Sequence, residues 1–374
     1  MRLALAADWL TTFGGAEHVL AECIDLFPDA PLFTTLARRG SLGPLDKADI
    51  RVSRLQRWYN RTKQHQILLP WMPAAMESLD VRGFDVVLSS SHAVAKGIIV
   101  EPSTLHICYC HTPVRYAWEM EEEYLKDFNV PGFLRKPIKR QLSKLRRWDL
   151  TSAKRVDVYI ANSTTTQERI QRIYNRESIV ISPPVDDRFF ETEIRGQRSE
   201  GSYFLAVGRL VPYKRFDLLI QVANELKLPL KIAGRGQDEE RLKKLAGPTV
   251  EFLGFVPEAD LPGLYADAKA LLFPQYEDAG IVLLEAQATG TPAIAYNAGG
   301  ARDAVIDGKT GLFFDAQTVE SVRDALQRFE TMQIDRDAIR AHAKQFTREK
   351  FRMKLKKVID ESFGAFRKGT FVRR

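Results

Sequence analysis

Residues 277–300 read EDAGIVLLEAQATGTPAIAYNAGG, and their reading decides the fold. The apolar run AKALLFPQ (268–275) before them predicts a buried strand that ends at Pro274. A Gly280 turn follows, then a short helix with Val282, Leu283 and Ala286 on its apolar face. Gly290, just ahead of Pro292, marks the helix stop. PAIAY is the next strand, and Gly299-Gly300 opens the next turn. Strand, loop, helix and strand in that order are the unit of a parallel sheet. The loop sets Glu277 beside the backbone N–H groups of Gly280, Ile281 and Val282, at a helix N-terminus suited to an anion. Glu285 follows in the helix, giving the spacing E-x7-E. Ionised carboxylates are pure acceptors, so two of them around such a turn suit a ligand with hydroxyls as well as phosphate. A sugar nucleotide has both. The plainer alternative makes both acids surface carboxylates favoured near a helix start by its dipole.

Working outward, 374 residues exceed one comfortable core and predict two domains. Apolar content of 45% and charged content of 28% are ordinary for a soluble globular chain. No apolar run approaches the ~20 residues of a spanning helix. MRLALAADWL reads as a first strand, because Asp8 interrupts it and no small-residue cleavage site follows. Cys23, Cys108 and Cys110 cannot form a disulfide framework and read as buried thiols of a reducing cytosol. A formal charge of +7 and a pI near 9.2 ask for an anionic partner: nucleic acid, a membrane surface or a phosphorylated substrate.

The first half opens with the strand RLALAAD, the loop WLTTFGG and a helix from Ala16 to Phe27. Gly14-Gly15 therefore sits at a helix N-terminus, either a phosphate or acceptor site or simply a turn. It is not G-x-G-x-x-G, so the dinucleotide fingerprint is absent. Further strands are FDVVLSS (84–90), LHICYC (105–110), VDVYIANS (156–163) and SIVISPP (178–184). Each ends in polar or Pro residues where open parallel sheets bind ligands. At the edge CYCHTPVRYAWE, His111 stands just past a strand with Pro113, Arg115, Tyr116 and Trp118 behind it. It is a candidate ligand group, against the alternative of a satisfied structural histidine.

Two segments carry one sign of charge. Residues 51–63 hold Arg51, Arg54, Arg57, Arg61 and Lys63 with no acid, and ILLPWM follows at 67–72. Residues 135–147 hold seven bases with no acid, while Leu134, Ile138, Leu142, Leu145 and Trp148 recur at helical spacing. The second segment is a basic amphipathic helix that suits an anionic membrane, or else a solvated face packed on its own domain. Nucleic acid is disfavoured, since no recognition motif accompanies the charge.

ISPPVDDRFF (181–190) and the polar stretch ETEIRGQRSEGS (191–202) read as a linker, dividing a domain of residues 1–190 from one of 191–349. The second half restarts with a strand ending at Gly208, Arg209 and Lys214 in its loop, and a helix from about Phe216 to Leu226. PLKIAGRGQDEERL, TVEFLGFVPEADLPGLYADA and GKTGLFFD repeat the strand-and-turn plan, and helices cover 317–330 and 335–363. Alternating strand and helix in both halves predicts two doubly wound, Rossmann-like α/β domains facing across a cleft. The tail RKGTFVRR (367–374) reads as basic and loose.

The E-x7-E segment with its LLEAQATGTPAIAYNAGG continuation, together with Arg209, Lys214 and the Gly-Gly loop, resembles the retaining glycosyltransferases of family 4, with the GT-B fold. The resemblance covers nearly the whole chain. CYCHTPVRYAWE is similar to an H-T-P-x-R-Y-x-W segment of bacterial polysaccharide (O-antigen type) mannosyltransferases. The resemblance implies that Glu277 orients the donor hexose, Glu285 holds the ribose hydroxyls and His111 faces the donor sugar. Glu277 and His111 are then the catalytic pair. Gly14, Gly15, Arg209, Lys214, Gly280, Ile281, Val282 and Glu285 bind the donor. It also implies an acceptor-binding first domain, on which the last helix (about 350–374) packs back, and a nucleotide-sugar-binding second domain.

Metal-dependent transferases of the GT-A class use D-x-D. Its one match, Asp335-Arg336-Asp337, opens a charged helix, where helix-start charges explain it. No metal and no other cofactor is therefore expected. Arg209, Lys214 and the N–H groups of Gly280 to Val282 would meet the diphosphate's charge instead. The expected reaction moves a hexose, mannose from GDP-mannose by choice, to a lipid-linked glycan or polysaccharide on the inner face of a membrane. UDP-sugars are the alternative donors. An epimerase of the same architecture and an inactive binding protein are rivals, and the missing fingerprint disfavours an NAD enzyme.

Overall fold

The computed structural model describes residues 1–119, 121, 131–192 and 203–372, so from residue 193 the expected linker lies outside the described residues. Its first part is no loose connection: Val185 and Phe189, the latter in the Arg188–Glu191 helix, are buried in the second unit's core. The chain divides into two compact units, Met1–Pro183 with Phe351–Arg374, and Pro184–Lys350.

The first unit holds a parallel seven-stranded sheet in the order β3-β2-β1-β4-β5-β6-β7. Its strands are β1 (Leu3–Ala7), β2 (Leu32–Thr34), β3 (Ile50–Val52), β4 (Val86–Ser91), β5 (Leu105–Cys110), β6 (Val158–Ala161) and β7 (Ile179–Val180). All five residues of β1 are buried, as a strand covered on both faces requires. Successive side chains leave a strand on opposite faces. Leu3, Leu5 and Ala7 accordingly join Val19, Leu20 and Cys23 of the Gly15–Leu26 helix, with Phe351, Leu355 and Ile359 of the Arg348–Arg367 helix. Ala4 and Ala6 meet Met72, Met76 and Ile98 on the other face. Burying each large apolar side chain contributes about 1.5–3 kcal/mol, which explains why the last helix belongs to this unit.

The second unit repeats the plan with six parallel strands in the order β10-β9-β8-β11-β12-β13. They are β8 (Tyr203–Val207), β9 (Leu230–Ala233), β10 (Val250–Gly254), β11 (Ala268–Phe273), β12 (Ala293–Tyr296) and β13 (Gly311–Phe314). Phe204 and Ala206 pack on Phe216 and Leu219 of the Phe216–Leu226 helix. Tyr203 and Leu205 pack on Leu283, Ala286 and Phe346. In each sheet the order reverses beside the first strand, between β1 and β4 and between β8 and β11. The crevice beyond the carboxyl ends at such a reversal is where doubly wound sheets take their ligands.

Three local readings change. The Ile281–Ala288 helix buries Leu283, Leu284, Ala286, Gln287 and Ala288, with Val282 only half-buried, so it is covered nearly all round rather than along one stripe. The 335–363 stretch is broken at the Lys344–Phe346 turn into helices Arg336–Ala343 and Arg348–Arg367. The tail is not loose at Phe371, whose ring lies 6.0 Å from Phe366 and joins the first unit's core.

Candidate active site

β8 and β11 end side by side at Val207 and Phe273, and the loops that leave them carry the second unit's polar cluster. Gly208 follows β8 at φ +151°, and a Cβ there would come within 3.1 Å of Lys214 Nζ. That ammonium pairs with Glu277 Oε1 at 3.1 Å, and the two side chains are only 15% and 23% exposed. The pair bridges the loops of the two strands flanking the reversal. Partly buried charges lose hydration about as fast as they gain attraction, so the pair fixes positions more than it stabilises. Gln275, fully buried, ties the same loops by donating from Nε2 to the Val207 carbonyl at 3.3 Å. Arg209 is exposed at this edge and makes no side-chain hydrogen bond or ion pair among the described residues.

Gly280 precedes the Ile281–Ala288 helix at φ +64°, a left-handed conformation suited to glycine. The first N–H groups of a helix have no intrahelical acceptor, and those after Gly280 open next to the Lys214–Glu277 pair's loop. The next turn holds this loop from behind. Gly300 N–H donates to the Glu277 carbonyl at 2.9 Å. A Cβ on Gly299 would fall 2.2 Å from that oxygen, and one on Gly300 2.5 Å from Ala279 Cα. Two glycines let the turn press against the loop and set the Glu277 backbone.

Glu285 has a different partner from Glu277. Its Oε2 accepts from the buried Tyr265 hydroxyl at 2.9 Å, and burial pushes its carboxyl up to about 7. Glu258 and Asp186 push the same way, and Arg188 opposes them. A carboxyl poised there accepts hydroxyl donors when ionised and binds them less well when protonated.

In the first unit, Gly14 and Gly15 begin the Gly15–Leu26 helix, Gly14 in extended conformation and Gly15 exposed. His111 follows β5, its Nε2 within 2.8 Å of Ser90 Oγ and its ring edge-on to Tyr109 at 5.1 Å. Its backbone is held on both sides, the N–H by Ser91 O at 2.8 Å and the carbonyl by Thr166 Oγ1 at 3.1 Å. Burial, with the charge of His92 added, pushes the His111 imidazole down to about 3. It is a neutral hydrogen-bonding group at pH 7 rather than a proton shuttle.

The sequence reading passed over Asp8 and His92, beside the reversal of the first sheet. Asp8 is buried at the end of β1 and accepts the N–H groups of His92 at 2.7 Å, Ala93 at 3.1 Å, and Val94 and Ala95 at 2.5 Å each. It also accepts from Ser91 Oγ at 3.3 Å and pairs with His92 Nδ1 at 2.8 Å. Burial opposes its charge, but His92 and these N–H donors hold Asp8 well below the usual carboxylate range. An acid directly after an apolar strand, with SSSH at the end of the neighbouring strand, was the available signal.

The D-x-D match opens a helix, as its neighbours suggested: Asp335 accepts the Ala338 N–H at 2.9 Å as an N-cap. The basic segments lie on the first unit. Residues 135–147 fall in the Gly132–Ala153 helix, where Ile138, Leu142 and Leu145 pack with Val114 and Ala117. Lys139 and Arg146 are taken up by Glu121. In the other segment Arg51 pairs with Asp49 at 2.8 Å and Arg61 lies 5.8 Å over the exposed Trp58 ring.

Residues 13–189 match the model described as Glycosyltransferase Family 4, and residues 187–346 match Glycosyl transferases group 1. The chain belongs to the family-4 glycosyltransferases. This family-4 chain is 33% identical over 215 residues to a glycogen synthase of Pseudomonas syringae pv. syringae, which covers 53% of the chain and 41% of that protein. It is also 33% identical over 209 residues to the GDP-mannose-dependent alpha-(1-6)-phosphatidylinositol monomannoside mannosyltransferase of Mycobacterium tuberculosis, covering 48% and 54%. The chain thus spans about half the length of these curated relatives. Among solved structures, HepE of Anabaena in complex with UDP superposes with a TM-score of 0.69 at 17% identity, over 96% of this chain and 100% of that one. That likeness confirms the GT-B fold of two parallel α/β sheets.

Proposed function

We propose that the protein is a retaining, metal-independent hexosyltransferase that moves mannose from GDP-mannose to a lipid-linked glycan or polysaccharide. The observation that carries this reading is the Lys214–Glu277 pair beside the Gly280 helix start, at the reversal of the second sheet. A cation and open N–H groups suit a diphosphate, while Glu277 suits a sugar hydroxyl. Arg209 adds a second cation, Gly14 and Gly15 an N–H turn from the first unit, and Glu285 an acceptor for the ribose. His111 serves as a neutral partner to the hexose, through its ring or its backbone carbonyl. The second unit is then the nucleotide-sugar domain and the first the acceptor domain. The leaving diphosphate takes the acceptor's proton in a front-side displacement, so neither Glu277 nor His111 has to act as nucleophile or base. The phosphatidylinositol mannoside relative, by its name, supports GDP-mannose and a lipid acceptor. The basic faces of 134–148 and 51–63 support work at the cytoplasmic face of an anionic membrane, and no nucleic acid is assigned.

A UDP-sugar is the second reading, favoured by HepE having been solved with UDP-glucose. Thermal-shift titration with GDP-, UDP-, ADP- and dTDP-sugars separates the two. A donor at 100 times its dissociation constant adds ~2.7 kcal/mol of stability. A larger shift with UDP-glucose than with GDP-mannose would overturn the choice of base. Chelator should leave transfer unchanged, and its abolition would return the metal mechanism.

A further inference from the structure

The first unit carries a cavity of about 440 Å³ between residues 66–73 and the 132–153 helix, with Tyr116, from the segment that follows His111, in its lining. Its volume lies within the ~300–1,000 Å³ usual for small-molecule sites. Pro70 and Pro73 form one side, and Ile138, Leu145 and Trp148 the other. The lining is mostly carbon, so a polar metabolite would lose its hydration there without recompense.

This site is built rigidly. Trp148 Nε1 donates to Glu77 Oε1 at 2.8 Å, and the adjacent Asp149 is buried against Lys96. Asp149 Oδ2 also receives Trp118 Nε1 at 2.8 Å and the Tyr174 hydroxyl at 2.9 Å. These ties hold the helix wall in place before any ligand arrives.

Charge gives the second half of the ligand. Lys144 lines the cavity yet is exposed. Lys136, Arg140 and Arg147 stand with it on one face, since the spacings of four, four and three residues keep to a helix of 3.6 residues per turn. All four are exposed, and none has an ion-pair partner among the described residues. On the opposite flank, Lys139 and Arg146 are satisfied by Glu121. This row runs alongside the apolar wall, so the surface complements a hydrocarbon chain that ends in an anion.

We propose that this groove receives the chain of a phosphorylated single-chain lipid in the membrane, with the Lys136, Arg140, Lys144 and Arg147 row holding the phosphate. The proposal rests on the lipid-linked acceptor reading above and supplies the place where the lipid portion sits. The groove, rather than a sugar-binding loop, then selects lipid-linked over free acceptors.

Calorimetric titration of the full chain with farnesyl phosphate, farnesol and inorganic phosphate tests it. Farnesyl phosphate should bind at least about tenfold more tightly than either of the others, because only it engages both halves. Leu145→Asn should weaken farnesyl phosphate and farnesol alike. The pair Arg140→Glu and Lys144→Glu should bring farnesyl phosphate down to the level of farnesol. Retained melting transitions and retained GDP binding show that the variants are folded. Equal affinity for farnesyl phosphate and inorganic phosphate, or indifference to Leu145→Asn, would overturn the groove. GDP-mannose binding without farnesyl phosphate binding sinks this proposal alone; the reverse outcome sinks the donor assignment alone.

Discussion

Glu277 is held from three directions: by Lys214 through its side chain, by Gly300 through its carbonyl, and by the Gly280 turn that follows it. A carboxylate so fixed costs nothing to reorganise when charge develops on a bound sugar. Glu277→Ala is therefore expected to cut turnover by ~10²–10³ while the donor's dissociation constant stays near that of the native protein. Single-turnover rates beside equilibrium binding measure the two separately, and unchanged turnover would remove Glu277 from the chemistry. Glu285 carries a different signature. Its folded pKa of about 7 lies above its ordinary 4.5, so between these values the folded chain binds the extra proton. Stability from this group is fully present below 4.5 and is lost as pH rises through 7. Glu285→Gln should abolish that loss, leaving the variant more stable than the native protein at pH 8 by about 1–3 kcal/mol. GDP binding should weaken in the same variant, since an amide offers one neutral acceptor oxygen in place of two charged ones. Melting curves from pH 5 to 8 with parallel GDP titrations check both, and identical pH slopes would show that Glu285 ionises normally.

At the level of elements, the parallel strands and the polar cluster between β8 and β11 were legible because long apolar runs ended in glycine and charge. β2 and β3 were not, since three residues are too few to display a period and Arg51 and Val52 of β3 are exposed. The Lys214–Glu277 pairing was hidden for another reason. Nothing in a linear sequence reveals that β8 and β11 are neighbours, and only the reversal of strand order brings their loops together. The buried partner of Glu285 was equally invisible, because Tyr265 belongs to another element, the Leu261–Ala266 helix. Glycine 299 and glycine 300 looked like turn residues, whereas their lack of side chains is what admits the Glu277 loop. Gly300→Ala is expected to displace that loop, because the added methyl would overlap Ala279 backbone atoms at 2.5 Å. Overpacking of this kind costs about 1–3 kcal/mol in stability. Turnover should fall in the same sense as in Glu277→Ala, although Glu277 itself is intact. A variant with native activity and melting temperature would show that the turn yields without moving the loop.

Across the whole molecule, the excess of seven positive charges is not spread evenly, and its exposed share on the first unit adjoins apolar surface. Trp58, Ile67 and Trp71 are 60%, 54% and 58% exposed near the 51–63 segment. Tryptophan rings favour the headgroup level of a bilayer, and lysine and arginine favour its anionic lipids. In the apolar stripe of the 132–153 helix Leu142 is buried in its own domain, and Ile138, Leu145 and Trp148 line the groove rather than the outer surface. Outside the groove only its charges are left to meet the bilayer surface, so attachment should be electrostatic first. Each base near an anionic surface contributes ~1 kcal/mol, and the row of Lys136, Arg140, Lys144 and Arg147 could together hold the chain there without an anchor. Salt should loosen it, since exposed charges are screened beyond ~8 Å at physiological ionic strength. Co-sedimentation with phosphatidylserine-containing and neutral vesicles is expected to show binding to the first alone, declining as salt rises. Reversing the four charges to Glu should abolish it while leaving GDP-mannose binding untouched, because none of the four is assigned to the donor. Equal binding to both vesicle types, or an unaffected variant, would make this row a solvated face and assign the charge to solubility instead.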